Sequence, residues 1–75
     1  MNKINKLILE SFKDDNPKPV GDIARDINKP LSSLFYSLQN LISNKELIKT
    51  EFGIYQITEI GKLQLKIEAM RNEKI

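Results

Sequence analysis

Neither cysteine nor histidine occurs in the 75-residue chain. Without cysteine there is no disulfide framework and no thiolate metal site. Without either residue the usual transition-metal ligands and the commonest general base are missing, so no metal, no cofactor and no catalytic residue is expected. Long apolar runs are missing too. The opening "MNKINKLILESF" is too short and too interrupted for a signal peptide, and nothing approaches a membrane span of about 20 residues. These absences point to a cytoplasmic, non-enzymatic protein with no membrane contact and no evident small-molecule ligand. The adjacent carboxylates Asp14 and Asp15 fall in a turn-forming segment, which suits capping better than catalysis.

A further scarcity is local. From Leu31 to Asn44 there is no charged residue of either sign. The net charge of +2 is distributed unevenly around that stretch. Lys3, Lys6 and Lys13 outweigh Glu10 at the amino end, and Lys62, Lys66, Arg71 and Lys74 outweigh Glu68 and Glu73 at the carboxyl end. Between them, residues 14–60 are net acidic.

The bulk composition is that of a folded protein, with 40% hydrophobic and 29% charged residues. A chain this short makes one domain, residues 1–75, and buries only about 60% of the surface its unfolded form exposes. Its stability alone is marginal, and a partner chain would help. The abundance of Lys, Ile and Asn suits an AT-rich genome, archaeal, viral or plasmid-borne.

Ile4, Leu7, Ile8, Ser11 and Phe12 follow the spacing of a helix with one buried face. "DDNPKP" ends that helix, because proline disfavours helical geometry in the residue before it. Val20, Ile23, Ala24 and Ile27 predict a second helix, stopped at Asn28, a residue that tolerates the left-handed conformation of a helix end. Pro30 suits the first turn of a third helix over residues 31–44. At about 100° per residue, Leu31, Leu34, Phe35, Leu38, Leu41 and Ile42 fall in one sector and are expected to be buried. Ser32, Ser33, Tyr36, Ser37, Gln39, Asn40, Ser43 and Asn44 make the opposite face. It is polar, uncharged and rich in hydrogen-bonding groups.

After Leu47 the apolar period changes to two, which predicts a two-stranded hairpin reversing near Gly53. A loop of Phe52 and Gly53 would set Ile48 opposite Ile57 and Thr50 opposite Tyr55. A three-residue loop with Gly53 left-handed would suit Phe52 better. Thr58 is a good N-cap, with Glu59 at the positive end of a final helix over 58–75. That helix carries Ile60, Leu63, Ile67 and Met70 at 3-4-3 spacing, and Leu65 and Ala69 on another side. Two apolar sides exceed what packing within one domain requires.

The element order and three short motifs resemble the winged helix-turn-helix regulators of the MarR, PadR and ArsR-like kind. The motifs are "IARDI" at Ile23–Ile27, "LIK" at Leu47–Lys49, and "YQITEIGK" at Tyr55–Lys62. The last is similar to the Tyr-x-Leu-Thr-x-x-Gly-Lys/Arg run that leaves the wing for the final helix in those families. The resemblance spans about Ile4 to Lys62. Glu46 stands where a glycine usually precedes the wing, and the wing tip lacks the usual Arg or Lys. The fold implied is α+β and mostly α: three helices, a two-stranded wing hairpin and a C-terminal helix.

The function implied is sequence-specific binding of double-stranded DNA by a small homodimeric transcriptional regulator, with helix 31–44 in the major groove. Asn and Gln can pair bidentately with adenine, and hydroxyls can reach base edges or phosphates. Ser32, Ser33, Tyr36, Ser37, Gln39 and Asn40 are therefore expected to read DNA, while Lys18, Arg25, Lys29 and Lys49 grip its backbone. Leu9, Ile60, Leu63, Ile67 and Met70 are expected at a dimer interface. The competing expectation is a protein-interaction module that presents Tyr36, Phe52 and Ile54 to a protein and never meets DNA.

Overall fold

The computed structural model describes residues 2–72; Met1 and the end of the expected final helix, Glu73 to Ile75, lie outside the described residues. Among the described residues the architecture is α+β and mostly helical. Helix α1 (Lys3–Glu10) precedes a short strand β1 (Lys18–Pro19), helix α2 (Val20–Ile27), a 3-10 turn at Leu31–Ser33 and helix α3 (Phe35–Ser43). Strands β2 (Leu47–Lys49) and β3 (Ile54–Ile57) then lead into helix α4 (Glu59–Asn72). The sheet has three antiparallel strands in the order β1-β3-β2, one more than the hairpin alone. The extra strand is the "KP" dipeptide, where Lys18 pairs with Tyr55 and Pro19 with Ile54. Proline is tolerated because β1 is an edge strand with no outer partner to receive an N–H. No helix of the described residues is long and apolar enough to cross a membrane.

Asn2 opens α1, its side chain accepting the Asn5 N–H at 2.8 Å. After each of α1, α2 and α3 the chain turns through a left-handed residue, and none of the three is glycine: Asp15, Asn28 and Lys45, with φ of 62°, 56° and 65°. Asn28 meets its expectation. The Lys29 N–H beyond it reaches back to the Ala24 carbonyl at 3.1 Å, which satisfies an end carbonyl of α2 and fixes the angle to the next element.

The core is formed by Ile8, Leu9, Phe12, Ile23, Leu34, Leu38, Leu41, Leu47 and Tyr55. Two of the expected buried faces are rotated. On α1 the buried set is Asn5, Ile8 and Leu9, with Phe12 just beyond the helix, while Ile4 and Leu7 are only partly covered. On α3 it is Ser37, Leu38 and Leu41, below Leu34 at the helix entrance, while Leu31 and Phe35 are exposed. The 3-10 turn causes part of this. Its tighter winding changes the phase between Leu31 and the helix that follows, so a face counted from Leu31 in α-helical steps arrives turned about its axis. The rest is a polar contact. Asn5 of α1 donates its side-chain N–H to Asn40 Oδ1 of α3 at 3.0 Å, and that bond brings a polar edge of each helix into their interface.

The hairpin register follows from its loop. Glu51, Phe52 and Gly53 form a three-residue connection, with Gly53 at φ 73°. It is closed by Thr50 N–H to the Ile54 carbonyl at 2.7 Å and Gly53 N–H to the Thr50 carbonyl at 3.2 Å. Of the two loops considered, the longer one forms. Leu47 therefore pairs with Ile57, Ile48 with Gln56 and Lys49 with Tyr55. This is one residue away from the two-residue-loop register. A slip of one reverses which side chains face inward, so Leu47 is buried and Ile48 is exposed.

Thr58 caps α4 as expected: its Oγ1 accepts the Gly61 N–H at 3.0 Å while its own N–H reaches the Glu46 carbonyl at 3.1 Å. Gly61 presses against that same carbonyl. A Cβ there would overlap the Glu46 oxygen and lie 2.7 Å from Ile57 Cγ1, so only glycine lets the helix start this close to the sheet.

Candidate functional site

The surface of interest is the outward side of α3 together with the turn before it. Tyr36 is 79% exposed, and Gln39 and Ser43 are exposed beside it. Ser32 is exposed in the 3-10 turn; Ser33 is half-buried and its hydroxyl donates to the Pro30 carbonyl at 2.9 Å. Lys29, just before the turn, and Lys49, on β2, are both exposed. The Lys49 ammonium lies 5.8 Å from the centroid of the Tyr55 ring, which holds the cation near the sheet without neutralising it. Arg25, on α2, has an exposed guanidinium 3.3 Å from Asp22, a surface pair that water and salt weaken.

Three expected DNA-binding residues occupy other places. Ser37 is 4% exposed and lies among the core leucines of α3, so it is corrected from a reading residue to a small buried one. Lys18 is also corrected. Its ammonium donates to the Ser11 carbonyl, lies 3.3 Å from Asp26 and 3.6 Å from Asp14, and sits 5.2 Å from the Phe12 ring centroid. It ties β1 to α1 and α2 and has no direction left for a phosphate. Asn40 is half-buried on the flank of α3, where its Oδ1 accepts from Asn5 at 3.0 Å and from Asn44 at 3.3 Å. The outward position that counting apolar residues missed is Phe35, whose exposure follows from the same phase shift that buries Ser37.

The expected dimer surface divides in a similar way. Ile60, Leu63 and Met70 are exposed, and Ile67 is half-buried in the same stripe of α4. Leu65 packs toward the core from another side of the helix. Leu9 is 0% exposed inside the core and is corrected: it reaches no partner. At its upper end the stripe continues into a groove of about 450 Å³ whose apolar walls are Ile42, Leu47, Ile48 and Ile60.

Both aspartates of α2 are paired, Asp22 with Arg25 and Asp26 with Lys18, so α2 does not present free negative charge beside Lys29. Elsewhere, Lys62 of α4 reaches Asp15 at 2.9 Å and Glu59 at 3.7 Å, and its pKa is raised chiefly by the hydrogen bond to Asp15. Asp14 is held below the usual carboxylate range, chiefly by the backbone N–H of Asn16. No protein-family model matches this sequence, and no curated protein is significantly similar to it.

Proposed function

We propose that the chain is a winged helix-turn-helix protein that binds double-stranded DNA in the cytoplasm as a homodimer, with α3 in the major groove. The observation that carries this reading is the outward face of α3. It is uncharged, rich in hydrogen-bonding groups, and bracketed by the exposed cations Lys29 and Lys49. A helix exposed only for solubility has no need to exclude every charge, whereas a helix entering the major groove needs neutral donors and acceptors at its tip and cations at its margins. The path of α2, left-handed Asn28, short turn and α3 supports it, as does the three-stranded sheet placed beside that turn.

Within this reading Tyr36, Gln39 and Ser32 meet base edges, Lys29, Lys49 and Arg25 meet phosphates, and Asn40 fixes the roll of α3 through Asn5. Three cations per protomer make a weak monomeric grip, and two protomers double it. The exposed stripe Ile60, Leu63, Ile67 and Met70 supplies the surface on which a second copy would pack. A salt series with random duplex DNA tests the function. Six phosphates neutralised per dimer predict a logarithmic slope of about −5.

One observation favours a second reading, a protein-interaction module of the same architecture. Phe35, Ile48 and Phe52 are all exposed near the α3 and wing surface, an apolar set that DNA readout does not use. That module would show no salt-dependent binding to random DNA, so the same titration separates the two.

A further inference from the structure

On the opposite flank of α3 from Phe35, six polar residues line a cavity of about 300 Å³: Asn2, Asn5, Asn40, Asn44, Glu46 and Gln64. None is cationic. Asn5 is 5% exposed, and its Oδ1 is buried without a hydrogen-bond partner among the described residues. A buried acceptor left that way is destabilising, so a donor is missing from the site. Glu46 is also 5% exposed, and among the described residues no hydrogen bond or ion pair reaches its carboxylate.

The remaining bonds decide what kind of donor fits. Asn40 Oδ1 is already used twice, by Asn5 and by Asn44, and Asn2 Oδ1 is used by the Asn5 N–H. The unengaged acceptor groups are Asn5 Oδ1, Asn44 Oδ1, the Glu46 carboxylate and the amide oxygen of Gln64. These four groups hold fewer oxygens than a calcium-type site, which takes six to eight. They are enough to receive the three N–H donors of a primary ammonium group. The helix ends facing the cavity are of opposite sign, the amino end of α1 at Asn2 and the carboxyl end of α3 at Asn44, and they roughly offset one another. Glu46 then sets the sign of the site, one negative charge for one positive. We propose that this cavity binds the ammonium group of a small primary amine, with Glu46 as its counter-ion and Asn5, Asn44 and Gln64 offering the other acceptors.

The occupant would touch α1, α3 and α4 together, since Asn5, Asn40 and Gln64 belong to those three helices. It would therefore stiffen the seat of α3. The inference does not depend on DNA binding, because binding is measured on the free protein.

The test is a titration of the 15N-labelled full chain with methylammonium chloride at constant ionic strength. The side-chain amide resonances of Asn5, Asn40 and Gln64 are followed, with ammonium, potassium and tetramethylammonium chlorides as parallel arms. The expected result is saturable shifts of these resonances with methylammonium and ammonium, and none with potassium or with tetramethylammonium, which has no N–H. Glu46→Gln should weaken the midpoint at least tenfold while leaving the backbone amide pattern of the helices unchanged. Should Glu46→Gln fail to fold, Gln64→Leu, on the partly exposed side of α4, should weaken it in the same direction. Shifts that do not saturate, equal responses to potassium or tetramethylammonium, or an unchanged midpoint in the folded variant would overturn the proposal and leave solvent as the only occupant.

Discussion

Helices α3 and α4 each present solvent with a face that hydration does not explain, and the two faces are opposite in kind. The outer face of α3 is neutral but polar, with Tyr36, Gln39 and Ser43 beyond a core of leucines. The stripe of α4 is apolar, with Leu63 at 56% and Met70 at 62% exposure, on a different side from the one Gly61 and Leu65 press against the core. Apolar surface left in water forfeits roughly 25 cal/mol per Å², whereas neutral polar surface forfeits little. The stripe of α4 therefore calls for a lasting partner. That of α3 suits a partner engaged and released. Under the proposed function the difference separates assembly from recognition, and substitutions can attack one helix while sparing the other.

The largest effect is expected where α4 joins the sheet. Gly61→Ala puts a methyl group against the Glu46 carbonyl and Ile57 and should cost about 3 kcal/mol, since overpacking a site walled by backbone leaves no flexible neighbour to yield. Urea denaturation monitored by circular dichroism checks it; a loss below about 0.5 kcal/mol would show that α4 is not seated this way. Both α4 and the Glu46 cavity would shift, while α3 keeps its bond to α1 through Asn40 and Asn5.

Next comes the stripe itself. Leu63→Glu changes a side chain already in water, so the monomer should fold as before, but the two-copy assembly would have to bury a carboxylate. Sedimentation equilibrium at micromolar concentration should move from dimer to monomer, and DNA affinity should fall by at least tenfold through the halved count of phosphates. A wild-type monomer that binds DNA tightly would refute the division of labour between the two helices.

The path of the chain was legible in the sequence where it rested on local chemistry. Asn28, Thr58 and the reversal at Gly53 each require a particular residue type at a particular turn, and each stands where its chemistry placed it. The rotation of the buried faces was not legible. Ser37 is polar and falls on the outward side of the α-helical count, yet it is buried beside the core leucines, while Asn5, off the apolar spacing of α1, finds Asn40 across the helix interface. Lys18 was opaque for a similar reason. Its partners Asp14, Ser11 and Asp26 flank it from two other elements and become neighbours only after folding. In the candidate site the local signals, an uncharged helix and the cations Lys29 and Lys49, survived folding. Residues whose role depends on long-range partners moved out of it.

Lys18 and Lys29 turn this lesson into a measurement of intermediate size. Lys18→Ala should lower stability by about 1–2 kcal/mol, because it removes a nearly buried cation with three oxygen partners and exposes Phe12, and it should leave the salt slope of DNA binding unchanged. Lys29→Ala should do the reverse: stability held within about 0.5 kcal/mol, the salt slope reduced by about one unit. Interchanged outcomes would mean that Lys18, and not Lys29, faces the phosphates.

The smallest effect concerns pH and again distinguishes α4 from α3. Lys62 ties α4 to the turn after α1 through Asp15 at 2.9 Å, and its pKa lies above the ordinary 10.5. A raised lysine pKa means that the folded state holds this proton more tightly than the unfolded state. The stabilisation is therefore complete below about 10.5 and is lost as pH rises through the folded value. Asp14 works with the opposite sign. Its pKa lies below the ordinary 3.8, so its contribution is complete above that pH and fades as pH falls through the folded value. Both groups are at the surface, where screening keeps such terms small. The informative quantity is thus the difference between chains. Between pH 9 and 11 the melting temperature of the wild type should fall slightly more than that of Lys62→Met, whereas Asp14→Asn should flatten only the acid side. An identical alkaline slope for wild type and Lys62→Met would show that the tether to Asp15 does not hold α4 in solution, leaving Gly61 and Thr58 as the anchors of that helix.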